Sequence, residues 1–247
     1  MKLRNTPIFI LLLASIISQQ AVAAIALDRT RVIVNGNEKS VSLSISNHNK
    51  QLPYLAQGWI EDELGNKITT PLTILPPIQR VEPGAESQIK VVAMPGVEQL
   101  SQEVETLFYF NIREIPPRSD KPNTLQIALQ TRVKLFYRPK NIMPTKADMA
   151  TPWQEKITLT RQGDSYLVAN PTPYFITLVD AASHVKGKGA NDFTPIMIAP
   201  KSTTSLGISA AALGKSPVLT YINDYGGRPK LIFNCNSENC EGSPVKS

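Results

Sequence analysis

Two cations lie within apolar strand patterns, where a charge could do chemistry. Arg31 belongs to the first predicted strand, and Lys134 lies between Val133 and Leu135. A cation among apolar neighbours is usually a strand residue whose side chain faces solvent. The other interpretation is a pair of cations that binds an anion such as a peptide carboxylate. The alternation of the strand containing Lys134 does not decide between these two interpretations.

Other chemical signals are poor. The two histidines, His48 and His184, lie in polar loop contexts, and a metal site would need a cluster of ligands that the sequence does not contain. No G-x-S-x-G elbow, P-loop or H-E-x-x-H motif occurs. Basic residues are scattered and form no run of the kind that indicates nucleic-acid binding. The sequence therefore predicts no enzyme, no metal, no cofactor and no nucleic-acid partner.

One long stretch alternates with strand spacing from Leu125 to Tyr137. Leu125, Ile127 and Leu129 form one face, and Lys134 is out of phase with them. As a single strand it would extend roughly 40 Å at about 3.3 Å per residue, whereas ordinary strands have about 5–6 residues. A strand of that length outruns its neighbours, and an apolar edge with unpaired backbone invites aggregation. The pattern therefore indicates strand pairing with another protein.

The N-terminus is typical of a secretory signal peptide, residues 1–23. Lys2 and Arg4 precede an apolar run from residue 8 to residue 17, and Ala21-Val-Ala23 supplies the small residues of a cleavage site. The run is much shorter than the about 20 apolar residues that a membrane span needs. We therefore expect an exported protein without membrane insertion. Its charge is mild, with 26 basic side chains, two of them in this segment, against 20 acidic ones.

Both cysteines, Cys235 and Cys240, lie near the C-terminus. Export permits a disulfide, and so short a loop would contribute about 2 kcal/mol. Such a bond would be a local link at the end of a strand. A redox or metal pair is the weaker interpretation, because the spacing is not C-x-x-C and no histidines lie nearby.

The rest of the chain is rich in strand patterns. About seven precede residue 140, beginning with one from Leu27 to Val34, and turn signals such as Asn35-Gly36 separate them. A linker from Arg138 to Pro144 is followed by a second set of short strands. This spacing predicts an all-β protein of two β-sandwich domains joined near residue 140.

Several segments resemble the periplasmic pilus-assembly chaperones of the PapD-like family, and together they run through the whole chain after the signal peptide. These segments are Leu27-Asp-Arg-Thr-Arg31, Gln51-Leu-Pro-Tyr-Leu-Ala-Gln57, Phe108-Tyr-Phe-Asn111, Arg113-Glu-Ile-Pro-Pro-Arg118, Leu125-Gln-Ile-Ala-Leu-Gln-Thr131, Lys134-Leu-Phe-Tyr-Arg-Pro139, Asn170-Pro-Thr-Pro-Tyr174 and Tyr221-Ile-Asn-Asp-Tyr-Gly-Gly-Arg-Pro229. The short loop from Pro116 to Thr124 is similar to that of the short-loop subfamily.

The resemblance implies two immunoglobulin-like β-sandwich domains in a boomerang arrangement, residues 24–140 and 141–247. It implies a periplasmic chaperone that binds, folds and caps pilin subunits by donor-strand complementation and delivers them to an outer-membrane usher. It also raises the question of a self-capping dimer when no subunit is bound.

The resemblance assigns roles to particular residues. Arg31 and Lys134 would hold the C-terminal carboxylate of the pilin, and the long strand would fill the pilin's groove. The remaining assignments are groove contacts at Leu125, Ile127 and Leu129, an interdomain salt bridge of Glu105, Arg138 and Asp224, and a disulfide between Cys235 and Cys240.

A β-sandwich protein of this kind could have two other functions. A structural or adhesive β-sandwich component of the pilus should be incomplete and carry a donor extension, whereas here a strand is predicted directly after the signal peptide. A secreted hydrolase on a β scaffold would need a nucleophile and a base, and no such motif is found.

Overall fold

The computed structural model describes residues 23–236 and 238–245. The predicted signal peptide, residues 1–23, lies outside these residues except for Ala23. Among the helices in the described part of the chain, none has the length and apolar character required to cross a membrane.

The first ten strands form two facing sheets, which we call the N-terminal sandwich. One sheet has the order β1-β3-β8-β6, and the other has the order β2-β10-β9-β4-β5, with β7 also paired to β4. The strands are β1 Ile25–Leu27, β2 Arg31–Asn35, β3 Ser40–Asn47, β4 Tyr54–Glu61, β5 Lys67–Ile68, β6 Leu72–Leu75, β7 Ile78–Val81, β8 Glu86–Ala93, β9 Thr106–Ile115 and β10 Gln130–Arg138. Their inward residues, among them Val32, Leu43 and Phe110, share one buried apolar cluster.

The predicted first strand, from Leu27 to Val34, is two strands in different sheets, so that prediction was wrong. The Asp28 N–H still donates to the Ser44 carbonyl at 3.1 Å, and the chain then leaves β3 to pair in parallel with β10. At the crossing Asp28 and Arg29 form a partly exposed ion pair of 2.7 Å. Alternation could not reveal this break, because both strands direct apolar residues into the same core.

The long strand is also shorter than predicted. β10 begins at Gln130, and residues 125–129 lie outside any sheet. The physical reason is the length of the neighbouring strand β9, which ends at Ile115. The last backbone hydrogen bond between β9 and the chain before β10 runs from the Glu114 N–H to the Leu129 carbonyl at 3.0 Å. Among the described residues no backbone hydrogen bond involves residues 125–128. We call residues 125–129 the free segment.

The two faces of β10 have different surroundings. Leu135 and Tyr137 are buried in the core of the N-terminal sandwich. Lys134, Phe136 and Arg138 alternate with them and therefore lie on the opposite face. The apolar residues of the free segment are in phase with Leu135 in the sequence, so a strand extended through them would present them on the core face.

The remaining strands form one sheet with the order β14-β13-β16-β17-β18-β11-β12-β15, which we call the C-terminal sandwich. The strands at the two ends of that order, β14 and β15, contact each other, so the sheet closes over its own core around Tyr166 and Phe233. The strands are β11 Thr158–Gln162, β12 Ser165–Asn170, β13 Ile176–Ala182, β14 Ile196–Ile198, β15 Ser202–Ser209, β16 Val218–Ile222, β17 Lys230–Asn236 and β18 Asn239–Pro244.

Helices are short in the described part of the chain. They are α1 Lys146–Ala150, α2 Ala210–Leu213 and the 3-10 helices Val97–Gln99, Lys140–Ile142 and Trp153–Lys156. The absence of a long amphipathic pattern in the sequence agrees with this content, and the all-β prediction of two sandwiches is confirmed.

The predicted disulfide is present. Cys235 on β17 and Cys240 on β18 lie directly opposite each other in the antiparallel ladder, with 3.9 Å between their Cα atoms. The bond therefore ties the two strands of one hairpin, as the short loop implied.

Candidate functional site

The parallel pairing of β2 with β10 makes Arg31 and Lys134 direct neighbours. Each is the register partner of the other, although the sequence separates them by most of the N-terminal sandwich. Arg31 has only 7% of its surface exposed. The interpretation of Arg31 as a solvent-facing strand residue is therefore wrong, and Lys134 is half-buried beside it.

The two cations face the C-terminal sandwich and make one neutral contact each with it. The Arg31 Nη1 donates to the Ile222 carbonyl at 3.3 Å, and the Lys134 Nζ donates to the Thr177 hydroxyl at 3.1 Å. The Arg31 guanidinium also lies 5.9 Å from the centre of the Phe136 ring. Its Nε is buried without a described hydrogen-bond partner, so the loss of hydration of that donor is not compensated there.

The site carries positive charge that the protein does not neutralise directly. Among the ion pairs formed by the described residues, none includes Arg31 or Lys134. Burial, and then the charge of Arg31, lower the pKa of Lys134 to about 8. Burial also lowers the pKa of Arg31 below its ordinary value. A bound carboxylate would offset both effects by favouring the charged forms.

A second cluster lies on the same face of β10, around Arg138. Its Nε and Nη2 donate to Glu105 Oε1 at 2.8 and 2.7 Å, and its Nη1 donates to Asp224 Oδ2 at 2.9 Å. Burial opposes the charge on Arg138, but the two carboxylates raise its pKa above the ordinary value. The structure therefore brings together the three residues of the predicted interdomain salt bridge.

Glu105 also joins the two sandwiches through the backbone. Its Oε2 accepts from the Phe175 N–H at 2.8 Å, and its own N–H donates to the Pro173 carbonyl at 2.9 Å. The Arg138 guanidinium lies 5.0 Å from the ring centre of Trp153 and 4.9 Å from that of Tyr174. Charge, backbone and aromatic contacts thus converge on one junction.

The three predicted groove contacts are on the free segment and face solvent. Leu125, Ile127 and Leu129 have 84%, 63% and 38% of their surface exposed. Large aliphatic side chains in a row at strand spacing, with unpaired backbone, form an edge that another strand can extend.

Sequence reasoning missed the partners that the C-terminal sandwich supplies to the cations. Thr177 stands as a polar residue inside the apolar run Ile176-Thr-Leu-Val179, which was the available signal. The Ile222 carbonyl gave no signal, because a backbone acceptor is not visible in a sequence. Among the described residues no group of histidine, cysteine and carboxylate side chains could hold a metal ion.

Two family models match the chain. The model described as "Pili and flagellar-assembly chaperone, PapD N-terminal domain" matches residues 24–143. The model described as "Pili assembly chaperone PapD, C-terminal domain" matches residues 152–233. The first match contains all of β1 to β10, and the second contains β11 to β16 and the start of β17.

Individual proteins are similar over nearly the same length. The "Probable fimbrial chaperone YfcS" of Escherichia coli strain K12 is 50% identical over 230 residues, which cover 93% of this chain and 90% of that protein. The "Chaperone protein PapD" of Escherichia coli is 48% identical over 219 residues, which cover 88% and 89%. The crystal structure of the Pseudomonas aeruginosa CupB2 chaperone aligns with a TM-score of 0.67 at 28% identity and covers 84% of this chain and 98% of that one.

Proposed function

The chain belongs to the PapD-like family of pilus-assembly chaperones, and from that premise we propose that its free segment and its cation pair together bind pilin subunits. The protein is a chaperone of fimbrial assembly. In the proposed complex the free segment completes the fold of a subunit by donor-strand complementation, and Arg31 with Lys134 binds the subunit's C-terminal carboxylate.

One observation carries this proposal: buried Arg31 and half-buried Lys134, neither of them in a described ion pair, are neighbours on β2 and β10, and the apolar free segment leads directly into β10. Arg31 on β2 and Lys134 on β10 both reach the C-terminal sandwich, and the aliphatic side chains of the free segment are exposed. A partner strand that pairs along the free segment in parallel with β10 has its C-terminus directed towards the cations. A single chain end can satisfy both parts of the site.

Both parts of the site contribute binding free energy in the proposed complex. Full burial of each aliphatic side chain contributes about 1.5–3 kcal/mol, and the residues available are Leu125, Ile127 and Leu129. Each backbone hydrogen bond gained along residues 125–128 adds a net of about 1 kcal/mol. A carboxylate that meets two partly desolvated cations makes charge-assisted bonds, which are stronger than neutral ones.

Further parts of the proposal concern organisation and partners. We place the two domains at residues 24–140 and 141–247, in a boomerang arrangement whose angle is fixed by Glu105, Arg138 and Asp224. We propose that the protein works in the periplasm and delivers subunits to an outer-membrane usher. When no subunit is bound, two copies would cover each other's free segments in a self-capping dimer, because the aliphatic side chains are otherwise exposed.

The protein would act by binding alone and not as an enzyme. The family is a chaperone family, which favours binding over catalysis. The names of the relatives favour the chaperone over a structural or adhesive component of the fibre.

The test is recovery of a co-expressed pilin subunit with the tagged protein from periplasmic extracts. Arg31→Ala and Lys134→Ala should each abolish recovery, because each removes one half of the carboxylate site. Arg80→Ala and Lys90→Ala are the matched controls, since both remove an exposed cation elsewhere in the N-terminal sandwich. Undiminished recovery with folded Arg31→Ala and Lys134→Ala proteins would refute the carboxylate site, and abundant protein in purified fibres would contradict the chaperone role.

A further inference from the structure

We propose that Thr177 and the backbone carbonyl of Ile222 position the two cations, so that the C-terminal sandwich completes the carboxylate site of the N-terminal one. The inference rests on the proposed function of Arg31 and Lys134 and adds a positioning residue, Thr177, in the other sandwich.

The geometry is one strand pair facing another. Arg31 and Lys134 are register partners on β2 and β10. Thr177 and Ile222 are register partners on β13 and β16. Each cation donates to the member of the other pair that faces it, at 3.3 Å for Arg31 and 3.1 Å for Lys134. The cations are therefore held by two adjacent points of one sheet, whose spacing is fixed by its ladder.

Neutral acceptors suit this task. A carboxylate at either position would neutralise the cation and compete with the ligand, as the two carboxylates beside Arg138 neutralise that residue. A hydroxyl or a carbonyl orients the donor and leaves its charge available. A lysine needs such orientation because its ammonium is a point charge on a flexible four-carbon stem.

Thr177 lies in the buried part of β13. It has only 5% of its surface exposed, and its neighbours Ile176 and Leu178 are fully buried core residues. A valine at position 177 would have nearly the same shape and would keep the packing. The hydroxyl, whose described side-chain contact is with the Lys134 Nζ, is the feature that packing alone does not require.

Through this contact, binding of a subunit carboxylate depends on the relative position of the two sandwiches. A carboxylate bound by Lys134 depends on the position of the Lys134 ammonium, and that position depends on β13. Relative movement of the two sandwiches would withdraw Thr177 and loosen the ammonium. Subunit binding and the junction at Arg138 are thereby coupled.

The experiment compares Thr177→Val, Thr177→Ser and Thr220→Val in the full chain. Thr220 is the matched control, because it is a threonine of the same sheet with 6% of its surface exposed and none of its described hydrogen bonds reaches a cation. The probe is a synthetic peptide with alternating apolar residues that ends in a free carboxylate, and its C-terminal amide is the reference. The measurements are the affinity ratio of acid to amide and the reactivity of Lys134 towards competitive acetylation over pH.

We expect Thr177→Val to lower the acid-to-amide affinity ratio about fivefold, the worth of one hydrogen bond of about 1 kcal/mol. The acetylation profile of Lys134 should shift to lower pH, because its ammonium loses an acceptor. Thr177→Ser should restore both readouts, and Thr220→Val should change neither.

Two results would overturn the inference, and each is distinct from a failure of the carboxylate site. If Thr177→Val changes the ratio no more than Thr220→Val does, while Arg31→Ala and Lys134→Ala abolish it, Thr177 does not position Lys134. If the ratio falls with an unchanged Lys134 acetylation profile, the effect is general destabilisation. If Arg31→Ala and Lys134→Ala retain the full ratio, the site itself is wrong and the inference falls with it.

Discussion

If Lys134 binds the subunit carboxylate as proposed, its lowered pKa predicts that subunit binding weakens at mildly alkaline pH. Burial and the neighbouring Arg31 charge lower that pKa to about 8, from an ordinary 10.5. Binding of a carboxylate favours the ammonium form and raises the pKa again, so the complex takes up a proton above this pH. Affinity is therefore complete below the pKa of the free protein and falls as the pH rises through about 8.

The magnitude follows from the fraction of Lys134 that is charged. With a pKa of about 8, the charged fraction is about 0.9 at pH 7 and about 0.1 at pH 9, because one pH unit changes the ratio of the two forms tenfold. If the ammonium is required, the affinity for a peptide carboxylate falls about tenfold over these two units. The terminal carboxylate itself stays ionised throughout, since its ordinary pKa is about 3.5.

The groups around Lys134 do not mask this dependence. Arg31 on β2 remains charged over the whole range, because a guanidinium keeps its proton in proteins, and Thr177 on β13 does not titrate. Tyr109 is the register partner of Lys134 on β9. The charges of Glu105, Arg138 and Asp224 act on Arg31 from the junction.

The assay is fluorescence anisotropy of the acid and amide peptides from pH 6.5 to pH 9.5, with Lys134→Arg as the matched variant. The acid-to-amide ratio should decline in the native protein and stay level in Lys134→Arg, because arginine keeps its charge. A level ratio in both proteins would refute the reasoning, because it would mean that the charge of Lys134 is not used.

Three other perturbations have defined outcomes. Ile127→Ala should weaken subunit binding about ten- to hundredfold, the equivalent of about 1.5–3 kcal/mol. It should not change urea unfolding, because Ile127 is 63% exposed. The control is Leu64→Ala, which removes a side chain that is 87% exposed elsewhere, and an equal effect of this variant would contradict the prediction. Arg138→Met should lower the free energy of unfolding by about 3–5 kcal/mol, because it leaves a buried carboxylate without its cationic partner. Arg29→Ala, at a partly exposed ion pair, should lower it by less than about 1 kcal/mol. Similar losses in the two variants would mean that the junction adds no stability. Cys235→Ser with Cys240→Ser should cost about 2 kcal/mol in urea unfolding and leave subunit recovery intact, and a loss of recovery would show that the hairpin reaches the binding site.

The fold class was accessible from the sequence because strand patterns depend on local burial. Alternation identified β3 and most of the strands of the C-terminal sandwich. It missed β18, Asn239–Pro244, because that strand is polar and owes its place to β17 and the disulfide. It also could not divide β1 from β2, since the change of sheet depends on which neighbour each half pairs with.

The site was accessible only in part. Alternation placed Leu125, Ile127 and Leu129 on one face, and the structure leaves all three exposed outside the sheet. It could not decide the direction of Lys134, because a strand between two sandwiches has no solvated face at that point. The pairing of Lys134 with Arg31 is a parallel contact between distant strands, and only the family resemblance connected the two residues.

The free segment continues directly into β10, so its apolar side chains lie at set distances along the chain from Lys134. At about 3.3 Å per residue in strand geometry, Leu129, Ile127 and Leu125 lie about 17, 23 and 30 Å from Lys134. A client whose chain end reaches the cations must therefore offer its apolar pockets at these distances from its last residue. Clients would be selected by the length of their final segment as well as by its composition, and one added or deleted terminal residue would present the wrong face to every pocket.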